Sequence, residues 1–88
     1  MKELRQRFVM RTISDRTLLV AAIHSGDWSD VRRLAHGLSG SAGVFGFSAV
    51  GLDAQALEEA IDAGEDKRRL LDLGLALLDR LERVDQTP

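Results

Sequence analysis

Residues 31–46 read Val-Arg-Arg-Leu-Ala-His-Gly-Leu-Ser-Gly-Ser-Ala-Gly-Val-Phe-Gly, and their spacing decides the fold class. Apolar residues stand at Val31, Leu34, Ala35, Leu38, Ala42 and Phe45, three and four apart, as in a helix that buries one face. The period continues on the C-terminal side. Val50, Ala54, Leu57 and Ile61 form a second stripe, and Leu70, Leu73, Leu77, Leu81 and Val84 a third, widened by Leu71 and Leu78. On the N-terminal side, Leu4 and Phe8 open a stripe that Leu19, Ala22 and Ile23 continue, but Thr12 and Asp15 fall on it. This predicts a kink or break between Thr12 and Asp15, with Ser14 as a cap. No run alternates apolar and polar residues like a half-buried strand, and the only proline is Pro88, so the expected class is all-α.

Glycines and capping residues divide the chain. Gly26 suits the left-handed end of a helix, Asp27 suits the N-cap of the next, and Asp30 adds charge to its first turn. At the second boundary Gly46 closes a helix, Ser48 caps the next, and Phe47 is expected to pack on Leu52 as a hydrophobic staple. The third boundary is Gly64 to Asp66. Links of two to four residues set neighbouring helices antiparallel, so residues 1–88 are expected to form one up-down-up-down four-helix bundle with a frayed tail from Asp85 to Pro88.

Composition narrows the function. A chain of 88 residues buries only about 60 to 65% of the surface its unfolded form exposes, so it builds one core and leaves no room for a nucleotide-binding kinase or dehydrogenase lobe. There is no cysteine, which excludes disulfides, thiol catalysis and thiolate metal sites. Leu18 to Ile23 is the longest apolar run, far below the ~20 residues of a membrane span, and Lys2 to Arg11 lacks the apolar stretch of a signal peptide. A cytoplasmic monomer with no membrane partner is expected. Twelve basic and fourteen acidic side chains leave a net charge of −2, which disfavours nucleic acid as a partner.

On a helical wheel His36 points roughly 150° from the centre of the Val31 to Phe45 stripe, toward solvent. Gly40 and Gly43 lie on the same outward side, with Arg32 and Ser39 on one flank and Arg33 on the other. Three interior glycines, Gly37, Gly40 and Gly43, cost a helix about 3 kcal/mol relative to alanine. Gly37 is open to a packing explanation, whereas Gly40 and Gly43 clear the surface around the ring for a docking partner. Nucleophilic hydrolysis needs an oriented pair or triad and a metal site needs at least three ligands. The other histidine, His24, sits beside Gly26 at the end of the preceding helix, so no metal site is expected. An exposed imidazole nitrogen suits another chemistry, accepting a phosphoryl group and releasing it.

His36 to Gly46 resembles the signature of histidine phosphotransfer (Hpt) domains, His-x-Leu-Lys-Gly followed by small residues and a second glycine. The similarity extends through Phe47, Ala54, Leu57 and Glu58, and more loosely from Asp27 to Ala35. The resemblance implies a four-helix bundle that carries a phosphoryl group on His36 between a sensor histidine kinase or receiver domain and a receiver aspartate. It implies no cofactor of the chain's own, with Mg2+ held by the partner receiver. Because the sequence has no Gly-x-x-x-x-Gly-Lys-Ser/Thr phosphate loop and no room for a kinase domain, no autokinase activity is expected. By the same resemblance Glu58 orients the imidazole through Nδ1, leaving Nε2 as the nucleophile, or else it is a solvated acid on the helix face; Gln55, one turn earlier, is a candidate for lining the docking site. The family lysine three residues after the histidine is Ser39 here. Arg32 and Arg33 are the candidates to replace its charge on phosphate, or else they are ordinary surface arginines. Two other readings stay open: a pseudo-Hpt adaptor that binds a receiver or kinase without carrying phosphate, and a helical oligomerisation module in which the glycine patch is the subunit contact.

Overall fold

The structure is a computed structural model that describes residues 2–84, so the expected fraying of Asp85 to Pro88 lies outside the described residues. Four α-helices follow one another: α1 Lys2–Ser25, α2 Trp28–Ser41, α3 Ser48–Asp62 and α4 Lys67–Val84. One turn of 3-10 helix, Ala42–Phe45, extends α2. The helices pack in a ring, each against the next and α4 back against α1. This is the antiparallel bundle that the periodicity predicts. The core is drawn from the predicted stripes: Leu19 on α1, Val31, Ala35 and Leu38 on α2, Ala54 and Leu57 on α3, and Leu77 on α4 are almost completely buried.

The boundaries have the expected chemistry at two of three places. The Asp27 carboxylate accepts from the Asp30 N–H at 3.1 Å and opens α2, and the Asp66 carboxylate accepts from the Arg69 N–H at 2.9 Å and opens α4. At the middle boundary Gly46 has φ of 87°, a left-handed conformation that strains any residue with a Cβ, and it ends the 3-10 turn. There, however, Ser48 is the first helical residue and makes no cap hydrogen bond. Phe47 does not staple onto Leu52, which is 66% exposed. Its ring stacks on Phe8 with centroids 5.4 Å apart, and Phe45 stacks on Phe8 at 5.1 Å. Three aromatic rings in the offset range worth about 0.5 to 1.5 kcal/mol per pair close this end of the bundle, an arrangement that local spacing does not reveal.

The predicted kink in the first helix is absent, since α1 runs unbroken for 24 residues. Thr12 is buried, and its hydroxyl donates to the Val9 carbonyl at 2.7 Å. The polar group on the apolar stripe is thereby satisfied inside the helix, which removes the reason for a break. Asp15 accepts from Arg11 Nε at 3.2 Å, and Ser14 sits exposed in mid-helix without a capping role. Helix α2 departs from expectation in the other direction. Its stripe continues to Phe45, but the α-helical form stops at Ser41. The Ser41 hydroxyl donates to the Gly37 carbonyl at 2.9 Å, and this side-chain bond, together with Gly37, Gly40 and Gly43, weakens the last α-helical turn.

Candidate functional site

Helices α2 and α3 present His36 and Glu58 to each other. The Ala35 and Leu38 face of α2 is buried, which turns the neighbouring His36 outward, and its side chain is 70% exposed. Leu57 is fully buried on α3, and the next residue, Glu58, therefore stands at the seam between the two helices with a side chain only 14% exposed. Nδ1 of His36 lies 2.9 Å from Oε2 of Glu58. An ionised carboxylate only accepts, so the contact requires Nδ1 to carry the proton and leaves the Nε2 lone pair of the neutral ring free.

The carboxylate is itself held. Arg32, one turn before His36, places Nη2 3.3 Å from the same Oε2 and also binds the Asp62 carboxylate through Nε and Nη2, the latter at 3.1 Å from Oδ2. Asp62 lies one turn beyond Glu58 on α3, so a row of four side chains, Asp62, Arg32, Glu58 and His36, crosses the seam. The hydrogen bond from Arg32, together with its charge, holds the Asp62 carboxyl below the usual carboxylate range against a smaller opposing cost of burial. The same bond and charge hold the Arg32 guanidinium above its ordinary value.

The other predicted site residues are distributed as follows. Arg33 turns away and pairs with Asp30, Nη2 to Oδ1 at 2.7 Å. The Ser39 hydroxyl donates to the carbonyl of His36 at 2.9 Å. Gln55 donates to Glu59 at 3.0 Å along the exposed side of α3 and makes no hydrogen bond to His36. A Cβ added at Gly40 or Gly43 would meet nothing within 4 Å, so both glycines border open space. Gly37 differs: a Cβ there would come within 2.9 Å of Arg11 Nη2. The Arg11 guanidinium crosses from α1 over Gly37 and donates to the Ser41 hydroxyl at 3.2 Å.

Three participants in this region are missing from the sequence reading. Asp62 carries a signal, since it stands four residues after Glu58 and hence on the same face of α3. Arg11 carries none, because only the packing of α1 against α2 brings it to Gly37. Gly51 is the third: a Cβ there would lie 3.6 Å from Ala42 Cβ and 3.7 Å from the Ser39 carbonyl, which marks where the backbones of α3 and α2 come close.

The arrangement provides an exposed imidazole with one nitrogen tied to a carboxylate and the other uncommitted, followed in the chain by Gly40 and Gly43, where a Cβ would meet nothing within 4 Å. Among the described residues, no group of three or more histidine, cysteine, aspartate and glutamate side chains is placed to hold a metal ion, and no helix is long and apolar enough to cross a membrane. The family model for the Hpt domain matches residues 3–87, nearly the whole chain. The comparisons with curated proteins and with solved structures each return no match.

Proposed function

The chain belongs to the Hpt domain family, whose members are histidine phosphotransfer modules of phosphorelay signalling, and we propose that its phosphoacceptor is Nε2 of His36. The observation that supports this most is the 2.9 Å contact between Nδ1 and Glu58 on a ring that is 70% exposed. In the reaction the Nε2 lone pair attacks the phosphorus of a receiver aspartyl phosphate. The N–P bond forms as the P–O bond to the aspartate breaks, and the receiver carboxylate leaves with that electron pair. The ring keeps its Nδ1 proton and so becomes cationic as the bond forms. Glu58 then faces a full positive charge where it had faced a neutral ring, an interaction stronger in the transition state than before it. Arg32, tied to Asp62, holds the Glu58 carboxylate at this point. The return step runs the same bonds in reverse to a second receiver aspartate. In this reading the chain is one cytoplasmic phosphocarrier module with no autokinase activity, the receiver supplies any Mg2+, and Gly40 and Gly43 form the docking surface.

The test is incubation of the purified chain with a phosphorylated receiver domain. The expected result is an acid-labile label mapped by mass spectrometry to His36 and absent from His36→Gln. A label elsewhere, or one that survives acid, overturns the assignment.

A specific observation favours a second reading, the adaptor. The position of the family lysine is Ser39, whose hydroxyl is engaged by the His36 carbonyl, while Arg33 is drawn to Asp30 and Arg32 to two carboxylates. No cation near the ring is left uncommitted among these residues. Receiver binding without transfer of label identifies the adaptor.

A further inference from the structure

The ring of four helices has a second edge, between α1 and α4, with the opposite chemistry. There a shallow open groove is floored by Val20 of α1 and by Leu71, Leu75 and Leu78 of α4. Leu75 is 59% exposed and Val20 51% exposed, so the apolar strip faces solvent. One end carries Lys67, with His24 beside it. The other carries Glu82 and Asp79, with Arg16 opposite them on α1; Asp79 is paired with Arg83 at 3.1 Å, so Glu82 is the carboxylate there that a partner's cation would meet.

In place of the monomer expected above, we propose that this groove is a two-fold interface with a second copy of the chain. The register of α4 carries the inference. Lys67, Leu71, Leu75, Leu78 and Glu82 follow one another at intervals of four, four, three and four, one continuous line along the side of the helix. The line is apolar in the middle, with a cation at one end and an anion at the other. A second α4 laid antiparallel across the first, with the two-fold axis at the Gly74–Leu75 peptide, sets Lys67 opposite the second copy's Glu82 and Leu71 opposite its Leu78. The symmetry supplies each pair twice. A parallel arrangement would set Lys67 against Lys67 and Glu82 against Glu82, so the charges select the antiparallel one. Charge matched to its own inverse around an apolar centre is the pattern of an isologous contact, in which one patch complements itself and the assembly closes at two.

Gly74 adds to the geometry. A Cβ there would lie only 3.0 Å from Ile23 Cδ1, so α1 and α4 pack closely where Ile23 lines the groove. The site residues lie on α2 and α3, whereas the groove lies between α1 and α4, so a dimer formed here leaves the α2–α3 seam open. The contact is small. From Lys67 to Glu82 the line is about 22 Å long and the groove is two helices wide, at or below the low end of specific interfaces, so dissociation in the micromolar range is expected.

Sedimentation equilibrium of the full chain from about 1 to about 500 μM brackets that range. The expected result is a weight-average mass rising from one chain toward two and no further. Leu75→Glu is expected to remain a monomer throughout with its helical circular dichroism intact. Lys67→Glu and Glu82→Lys are each expected to weaken dimerisation about five- to tenfold, and the double exchange to restore it, because only a two-fold antiparallel register pairs these positions. A wild type that stays monomeric at the highest concentration, a mass that grows past two chains, a Leu75→Glu variant that dimerises normally, or a double exchange that fails to restore association overturns the proposal. So does a monomeric wild type whose binding to a receiver is lost in Leu75→Glu, which would assign the groove to that protein instead.

Discussion

The α2–α3 seam and the α1–α4 groove are opposite edges of one bundle, and the exposed glycines beside the first, Gly40 and Gly43, act in the opposite way to the buried glycine of the second. Beside the seam, Gly40 and Gly43 border open space, and the seam's own polar side chains are tied to one another in a row that ends on a single exposed imidazole. At the groove, Gly74 is buried and makes room for Ile23, and the side chains exposed beside it are leucine and valine. A glycine in a helix therefore has no meaning of its own. What a Cβ would meet there decides whether it serves the core or leaves the surface clear for a partner.

The sharpest break of this comparison is chemical. His36→Gln is expected to abolish phosphoryl transfer while leaving thermal unfolding nearly unchanged, because an outward side chain that is 70% exposed contributes little to the core. Transfer from a labelled receiver and a melting curve on the same preparation check both halves. Next in size is Glu58→Ala, which removes a charge-assisted hydrogen bond worth about 1.5 to 3 kcal/mol and is expected to slow transfer about 10- to 100-fold. Glu58→Gln keeps an acceptor for Nδ1–H and is expected to fall between wild type and alanine. Single-turnover rates at saturating receiver separate this from weaker docking. Equal rates for all three proteins would remove Glu58 from the mechanism.

The glycines supply a paired prediction in units of stability. Gly74→Leu drives a side chain into Ile23 and is expected to destabilise the fold by about 1 to 3 kcal/mol without slowing transfer from a saturating receiver. Gly40→Leu adds a better helix former in open space and is expected to leave stability unchanged or raise it by up to about 0.8 kcal/mol. It is also expected to weaken receiver binding, because a branched side chain then stands one turn from the imidazole. Denaturant unfolding and receiver titration of both variants form a two-by-two comparison, and the pattern fails if both lose stability or both keep full binding.

How much of this is legible in the sequence differs between backbone and side chain. The four helices, the breaks at Gly26–Asp27 and Gly64–Asp66, and the outward direction of His36 follow from periodicity and capping, which are local and repeat within one or two turns. The continuity of α1 is not legible, because a buried threonine looks the same on a wheel whether or not its hydroxyl finds the Val9 carbonyl. Nor is the stacking of Phe8 on Phe45 and Phe47, contacts across more than thirty residues of chain. The arginines are the least legible. Arg11, Arg32 and Arg33 have long side chains whose ends are placed by carboxylates and hydroxyls, on other helices for Arg11 and Arg32, and nothing in the spacing of α2 separates Arg32, which reaches Glu58, from Arg33, which goes to Asp30.

The smallest expected effect tests whether the row of side chains exists in solution. The hydrogen bond and charge of Arg32 lower the Asp62 pKa, and His36 adds a minor contribution of the same sign. A carboxyl whose folded pKa lies below its unfolded value adds stability above the unfolded value and loses it as pH falls through the folded one. The Arg32–Asp62 tie between α2 and α3 is therefore expected to be intact at neutral pH and to release only at acidity below the ordinary aspartate range. Both groups are solvent-accessible and salt screens them, so the contribution to folding is expected to be slight even where the titration is clear. A carboxyl-detected NMR titration of wild type and Arg32→Ala reads it directly, with the Asp62 midpoint low in the first and returned to the ordinary range in the second. If the two midpoints coincide, Arg32 is not bound to Asp62 in solution and is free to swing toward the ring. It would then be available as a phosphate contact, and Arg32→Ala would destabilise phosphohistidine instead of only loosening Glu58.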